Sequence, residues 1–366
     1  MLKQVAFPPE VLARIAPDIS LQRHLSIGLR PNLRNFTEFK PLEIADGTAF
    51  KNSNPNVVGS SVIKSGSTTV MNVITLGIVD NSVQVDAQGP YSSVYPVIEI
   101  LRGRSGEPTD EDMILAQSIH ETILHSKIIP SGSLEIKNVG IQVTEDEKSR
   151  IIYPDLHPEE YSLVRNPSAV THAGSKSYSF VLLSNIKIFS KSVSTSSLFD
   201  LCHLSTINAL SSISLPRVYI GESDAHTASA SIARSRRSNK RSLISTQSDS
   251  NLTIDTSTEL QSPLKLELTD AMDVDSKGQF DHSGISSNFG LVTIPGDDEN
   301  QAKTVLLADL EGEAEETSIF SRISVIANKS DRLKRISLIN GDGGISLEAL
   351  KKSIEIAKLR AREFEA

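Results

Sequence analysis

SSVIKSGSTTVMNVITLGIV, Ser60–Val79, sets two runs of β-branched residues on either side of Gly66. Such side chains fit a pleated surface, and glycine tolerates the positive φ of a tight turn. The stretch predicts two adjoining strands with Gly66 between them. Working outward, KPLEIA (Lys40–Ala45) reads as a strand before the pair and SVYPVIEIL (Ser93–Leu101) as one after it.

The best helix of the first half spans Thr109–Lys127. Thr109 is placed to cap it, Asp112 sits at the capping-box position, and Ala116, Ile119 and Ile123 form the buried stripe. YSFVLLSNIKIF (Tyr178–Phe189) is a long strand. A helix with Phe199, Cys202, Ala209, Leu210 and Ile213 on one face follows, then a strand at LPRVYI. Further strands read at NLTID, PLKLEL, GISSNFGLVTI, IFSRISVIAN and RLKRISLIN. The last helix starts from a Ser346 cap and is expected to bury Leu347, Leu350, Ile354, Ala357 and Phe364. At the other end, FPPEVLARIAP forms a helix with Val11, Leu12 and Ile15 on one face, and Ser20 is placed to cap a second short helix at SLQRHLS. The order is strands then helix, repeated: an α+β chain of two related halves rather than a doubly wound Rossmann sheet.

The chain has 366 residues, enough for two subdomains around sizeable cores, and one cysteine, Cys202, which has no partner within the chain and favours a reducing setting. No apolar run approaches the ~18 residues of a membrane span, and MLKQVAFPPE lacks a signal-peptide core, so a soluble protein is expected. The net charge of −8 is unlike that of a lone nucleic-acid binder, although a local basic patch can still meet RNA. From Glu222 to Ser250 the composition turns to Ser, Arg and Ala without apolar periodicity and predicts a disordered insertion. Its Arg234, Arg236, Arg237, Lys240 and Arg241 suit a solvated loop, an import signal or a loose RNA contact.

His120 and His125 in HETILH are five apart, so their rings diverge by about 140° on a helix and do not make a zincin pair. There is no Walker loop and no dinucleotide fingerprint. GDGG (Gly341–Gly344) reads as a turn. Arg102 and Arg104 project to one side of extended chain and call for an anion opposite them, either a neighbour's carboxylate or an RNA phosphate. Arg30 and Arg34 form a second pair around a turn. ADLEGEAEETSIFSRISV (Ala308–Val325) puts Asp309, Glu311, Glu313, Glu315 and Glu316 into eight positions before a strand. They cannot all converge on one ion, so a solvated acidic loop, or a surface for a neighbour's basic residues, is expected.

LRPNLRNFTEFKPLEI (29–44), GSSVIKSGSTTVMNVI (59–74), SVYPVIEILRGRSG (93–106), LFDLCHLSTINALSSISLPRVYI (198–220) and LLADLEGEAEETSIFSRISVIA (306–327), in that order, resemble the RNase PH family. Within it they resemble the non-catalytic branch of the eukaryotic RNA exosome ring. The resemblance implies an RNase PH-like, ribosomal protein S5 domain 2-like fold of two βαβα-type halves with mixed sheets. It divides the chain into an N-terminal helical segment (1–28), a first half (29–221), the insertion (222–250) and a C-terminal half (251–366). It implies a ring of six such subunits, cap subunits with OB-type RNA-binding domains, an associated exoribonuclease and RNA as partners, and no membrane. Nucleus, nucleolus and cytoplasm are the implied locations.

Active relatives attack the terminal RNA linkage with phosphate, which needs cationic donors to offset repulsion. The loop at the cradle position, SKSVSTSSLFDL (Ser190–Leu201), has neither glycine nor arginine, and Asp200 would repel phosphate. Of the acidic pair that active relatives carry, the first falls near Glu315 and the second near Ser321, so the second is missing. No catalytic residue, metal or cofactor is expected. Arg102, Arg104, Arg30 and Arg34 are the candidates for RNA or interface contact. The rivals are a phosphorolytic exoribonuclease with a composite site shared with a partner, and a stand-alone binding protein that uses the basic insertion.

Overall fold

The computed structural model describes residues 8–47, 50, 54, 56–81, 89–101, 107–145, 148–164, 178–189, 195–220, 252–255, 264–265, 284–294, 303–341 and 344–364. The expected insertion at 222–250 lies outside them.

The hairpin at Gly66 forms as read. β2 (Val57–Ser65) and β3 (Thr68–Asp80) pair antiparallel with Ser65 opposite Thr68, leaving a two-residue loop in which Gly66 has φ +58°. That is the sign a type II′ turn requires at its first position. The five-stranded sheet runs β1 (Leu42–Asp46), β2, β3, β9 (Tyr178–Phe189), β5 (Val94–Ile100). Its pairs are antiparallel except β5–β9, so the sheet is mixed. A second mixed sheet runs β12 (Leu252–Ile254), β11 (Val218–Ile220), β7 (Val139–Glu145), β8 (Lys148–Ile152). The β7–β8 hairpin, and helix α4 (Pro158–Val164) after it, were not read from the sequence. Two short pairs, β4 (Tyr91–Ser92) with β6 (Ile129–Pro130) and β10 (Ser214–Leu215) with β13 (Leu264–Lys265), complete this half. The expected strand at LPRVYI is split into β10 and β11 around Pro216, which has no N–H for a ladder.

Helix α3 (Asp110–Ser126) carries the capping box of Thr109 and Asp112 and buries Leu115, Ile119 and Ile123. Helix α5 (Thr195–Ser211) lies across β2 and β3. Gly59 permits that approach, since a Cβ there would stand 2.5 Å from the Ala209 carbonyl oxygen. Ile63, Val70, Ile74, Leu182 and Ile188 close the core under Leu198, Cys202 and Ala209.

The second large sheet is antiparallel throughout, in the order β15 (Lys303–Ala308), β14 (Ile285–Ile294), β16 (Ser321–Ala327), β17 (Leu333–Ile339). Helix α7 (Leu347–Glu363) covers it through Ala357 and Ala361, and Ser346 caps it by accepting from the Ala349 N–H at 3.2 Å. Leu347, expected in the core, is 65% exposed, because it stands at the first position of the helix, ahead of Leu350 and Ile354, which pack against the sheet.

Helices α1 (Pro9–Ile15) and α2 (Pro17–Ser26) open the chain, and Val11 and Ile15 on α1 face solvent. Ser20 does not cap α2. The helix begins at Pro17, where a missing N–H costs nothing, and Ser20 is buried inside it. Leu21 and Leu25 pack with Val305, Leu307, Leu310 and Ile319 beside α6 (Glu313–Ser318). Each such leucine contributes roughly 1.5–3 kcal/mol, so the N-terminal segment is anchored on the second large sheet. Among the described residues no helix is long and apolar enough to cross a membrane.

Candidate functional site

After α2, Gly28 (φ +83°) turns the chain, and the Leu33 N–H closes a turn on the Arg30 carbonyl at 3.0 Å, with Pro31 and Asn32 at its centre. This turn aims Arg30 and Arg34 at the acidic segment. Arg30 is fully buried. Its Nε and Nη2 donate to Glu315 Oε1 and Oε2 at 2.9 and 2.6 Å. Nη1 donates to the Ala308 carbonyl at 2.8 Å, and Nη2 also to that of Asp309 at 3.1 Å. Glu315, equally buried, accepts a further bond from the Glu311 N–H at 2.8 Å. This is a bidentate, charge-assisted pair with its remaining hydrogen-bonding capacity largely met, the condition under which a dry ion pair is tolerated.

Around it, Arg34 donates to Asp309 Oδ2 and Glu311 Oε2, each at 3.1 Å. The Lys40 N–H donates to Asp309 Oδ2 at 2.9 Å, and its ammonium lies 3.4 Å from Glu311. Glu316 meets Arg322 at 3.7 Å. Two expectations change. Arg30 and Arg34 are not an outward RNA or subunit contact, because their guanidiniums are turned inward and paired. The acidic stretch is not simply a solvated loop waiting for a neighbour, because Asp309, Glu311, Glu315 and Glu316 meet cations of this same chain. The sequence held the signal in two segments of opposite charge, but not their pairing across some 280 residues.

A second polar cluster lies between the two large sheets. Asp200, on α5, faces β14 and accepts from Ser286 Oγ and Asn288 Nδ2, both at 2.5 Å. Arg360 of α7 donates to the Ser286 carbonyl at 3.0 Å and Ser287 Oγ at 3.1 Å, and its guanidinium lies 3.9 Å from the centre of the Phe39 ring. Burial pushes the Asp200 carboxyl up to about 6. The Ser286 bond, the Arg360 charge and the Asn288 bond oppose that rise, and the Asp309 charge adds to it. Burial lowers the pKa of Arg360, against the pull of Asp200 and Asp309. Ser286, Asn288 and Arg360 were missed from sequence, since strand and helix residues of ordinary polarity carry no local mark of this role.

Asp200, Glu315 and Ser321, the three positions expected near an active centre, have separate partners. Asp200 belongs to the cluster on β14 and Glu315 to the ion pair with Arg30. Ser321, buried at the start of β16, accepts from the Gly341 N–H at 3.0 Å. Beside the Arg360 charge, the carboxylate whose charge acts on Asp200 is Asp309. Arg102 and Arg104, and Ser190–Ser194 of the cradle loop, lie outside the described residues.

His120 Nδ1 bonds the Val94 carbonyl at 2.7 Å and His125 Nδ1 that of Glu121 at 2.6 Å, so the two rings serve separate places. Among the described residues no group of three or more His, Cys, Asp or Glu is arranged to hold a metal ion. His203, buried on α5 and stacked on Phe199, is pushed down to about 4 by burial and by Arg335. An open pocket of about 250 Å³ beside Tyr95, Ser131 and Glu135 has no cation among the described residues of its lining.

Residues 38–216 match the profile of RNase PH, the 3′ exoribonuclease family, domain 1. The exosome complex component rrp43 of Schizosaccharomyces pombe is 25% identical over 161 residues, 42% of this chain and 54% of that protein, so the match spans about half of the relative's length. A chain of the Archaeoglobus fulgidus exosome with RNA bound to the active site superposes with a TM-score of 0.55 at 14% identity, covering 96% of this chain and 97% of that one. A chain of an archaeal exosome core gives 0.53 at 14% identity, over 98% and 97%. These two likenesses are of fold. Together with the mixed sheets they give an RNase PH-like α+β fold, and the similarity to that family's domain 1 covers residues 38–216, just under half of the chain.

Proposed function

We propose that the chain is a non-catalytic, structural subunit of an RNA exosome core ring. One observation carries the reading. Where an active relative would offer a free acidic pair, Glu315 is neutralised by buried Arg30, and Ser321 bonds a backbone amide. Phosphorolysis needs cations free to receive an anionic nucleophile and an acid free to place a proton or metal. Arg30 and Glu315 cancel each other away from solvent, and Asp200 is a buried anion at the aligned cradle helix.

In this role the subunit helps close a ring of six RNase PH-like chains, with OB-type cap subunits on one face and a separate 3′–5′ exoribonuclease on the other. The ring threads RNA to that nuclease for rRNA processing and RNA decay in nucleus, nucleolus and cytoplasm. Arg102 and Arg104 are proposed to face the channel or a neighbour, so reversing both charges is expected to weaken RNA protection by the assembly without unfolding the subunit. The decisive assay incubates the chain, purified with its RNase PH-like partner, with RNA and inorganic phosphate. No nucleoside diphosphate is expected, and phosphate-dependent release would establish a composite active site instead.

A further inference from the structure

The second large sheet ends on β17, and among the described residues no strand pairs with its outer edge. An open edge presents unpaired N–H and C=O groups, and proteins blunt such edges with proline, charge or bulges. β5, at the edge of the five-stranded sheet, is guarded in this way. It carries Pro96, which has no N–H to offer, and Glu99, which pairs with Lys187 at 3.5 Å. β17 has no proline. A register shift sets Lys334 apart near its start, and from Arg335 to Ile339 its ladder with β16 is regular. Arg335 does not guard the edge, because its guanidinium is drawn back onto the Ser118 carbonyl and Thr122 of α3 and over the Phe199 ring. Ile336, Leu338 and Ile339 are 39%, 48% and 59% exposed. Phe320, 65% exposed, extends the apolar surface beside Gly341.

An open ladder flanked by aliphatic side chains fits an added strand better than a helix or a nucleic acid. Charge selects which strand. Residues 321–340 carry five cations against Asp331 alone, a net +4 within a chain of net −8; with Arg322 meeting Glu316 and Arg335 drawn onto α3, the positive sign of the hairpin lies with Lys329, Arg332 and Lys334. Two copies of this hairpin would repel each other.

We propose that Arg335–Ile339 of β17 accepts an acidic, aliphatic edge strand from a different protein chain, extending the four-stranded sheet across a subunit boundary. The identity of that chain as a second RNase PH-like subunit rests on the ring reading above.

The test compares wild type with the double variant Ile336→Glu/Leu338→Glu, both tagged and isolated gently from the protein's own cells. The exposed positions should tolerate the change, so the isolated variant should keep the wild-type circular dichroism and unfolding midpoint. Native mass spectrometry should show wild type beside an identified RNase PH-like chain, with at least tenfold less of that chain on the variant. Hydrogen exchange at residues 335–339 should slow at least tenfold in the particle relative to the isolated chain. A variant particle of unchanged subunits, or edge amides exchanging as fast in the particle as outside it, overturns the edge assignment and leaves the ring reading intact. Protection lost on ribonuclease treatment, or a homodimer joined through β17, also overturns it. A wild-type chain that purifies alone overturns both readings.

Discussion

Glu315 and Asp200 are both carboxylates withdrawn from water, and the chain holds them in opposite ways. Glu315 faces a guanidinium that matches it oxygen for nitrogen. Asp200 faces a hydroxyl and an amide, with its nearest cation, Arg360, bonded to neighbouring groups of β14. In the first case a charge ties the N-terminal turn to the second large sheet. In the second a carboxylate is wedged between α5 and β14 and retains part of its desolvation cost, seen in its rise to about 6. Burial alone therefore does not say whether an acid is a lock or a strain. The partner's charge decides.

The largest effect that would sharpen the contrast comes from Glu315→Ala. It leaves Arg30 charged in a dry site, which typically costs about 3–5 kcal/mol. Denaturant unfolding should show that loss, and Arg30→Met/Glu315→Leu, which removes both charges, should lose clearly less than the single variant. Equal losses would mean that the pair acts by packing rather than by charge.

Asp200 should behave in the reverse sense. Its folded value, about 6, lies above the ordinary 3.8, so the folded chain holds this proton more tightly than the unfolded one. The contribution is fully present below pH 3.8 and is lost as pH rises through about 6. Over about two units that amounts to about 3 kcal/mol at most. Asp200→Asn should flatten this part of the pH profile and raise stability at pH 7 by about 1–2 kcal/mol. The buried Asn288 Oδ1, which has no hydrogen-bond partner among the described residues, can receive the new amide once the Asn288 side chain flips. Parallel profiles for the two proteins between pH 4 and 7 would remove Asp200 as the source.

How much of this was legible in the sequence follows from range. The β2–β3 hairpin, the capping box at Thr109 and Asp112 and the Ser346 cap are local, written in residues a few positions apart, and they formed as read. The bond from Arg30 to Glu315 spans 285 residues, and that from Ser286 to Asp200 spans 86. No periodicity encodes such contacts. The acidic segment reads as a solvated loop or a surface for a neighbour's basic residues, and the arginine pair as an RNA or interface contact, because nothing local says that α2 packs beside α6. Leu347 was misplaced for a related reason: a 3.6-residue period marks an apolar face but not where along a helix the sheet ends.

The smallest effects test whether geometry or mere proximity makes the lock. Arg34 reaches Asp309 and Glu311 through two nitrogens of one fork, with 13% of its side chain exposed. Lysine keeps the charge and loses the fork. Arg34→Lys should therefore cost about 1 kcal/mol, well below the Glu315 variant, because water reaches this outer layer and the surviving charge still attracts both acids. Arg362 and Asp331 pair as closely at the surface, where each shifts the other's pKa in the direction that favours the ion pair. Arg362→Ala should nonetheless leave the unfolding midpoint unchanged, since an exposed pair exchanges one well-solvated state for another. A midpoint that fell as far for Arg362→Ala as for Arg34→Lys would mean that charge pairing as such, and not its withdrawal from water, ties these segments together.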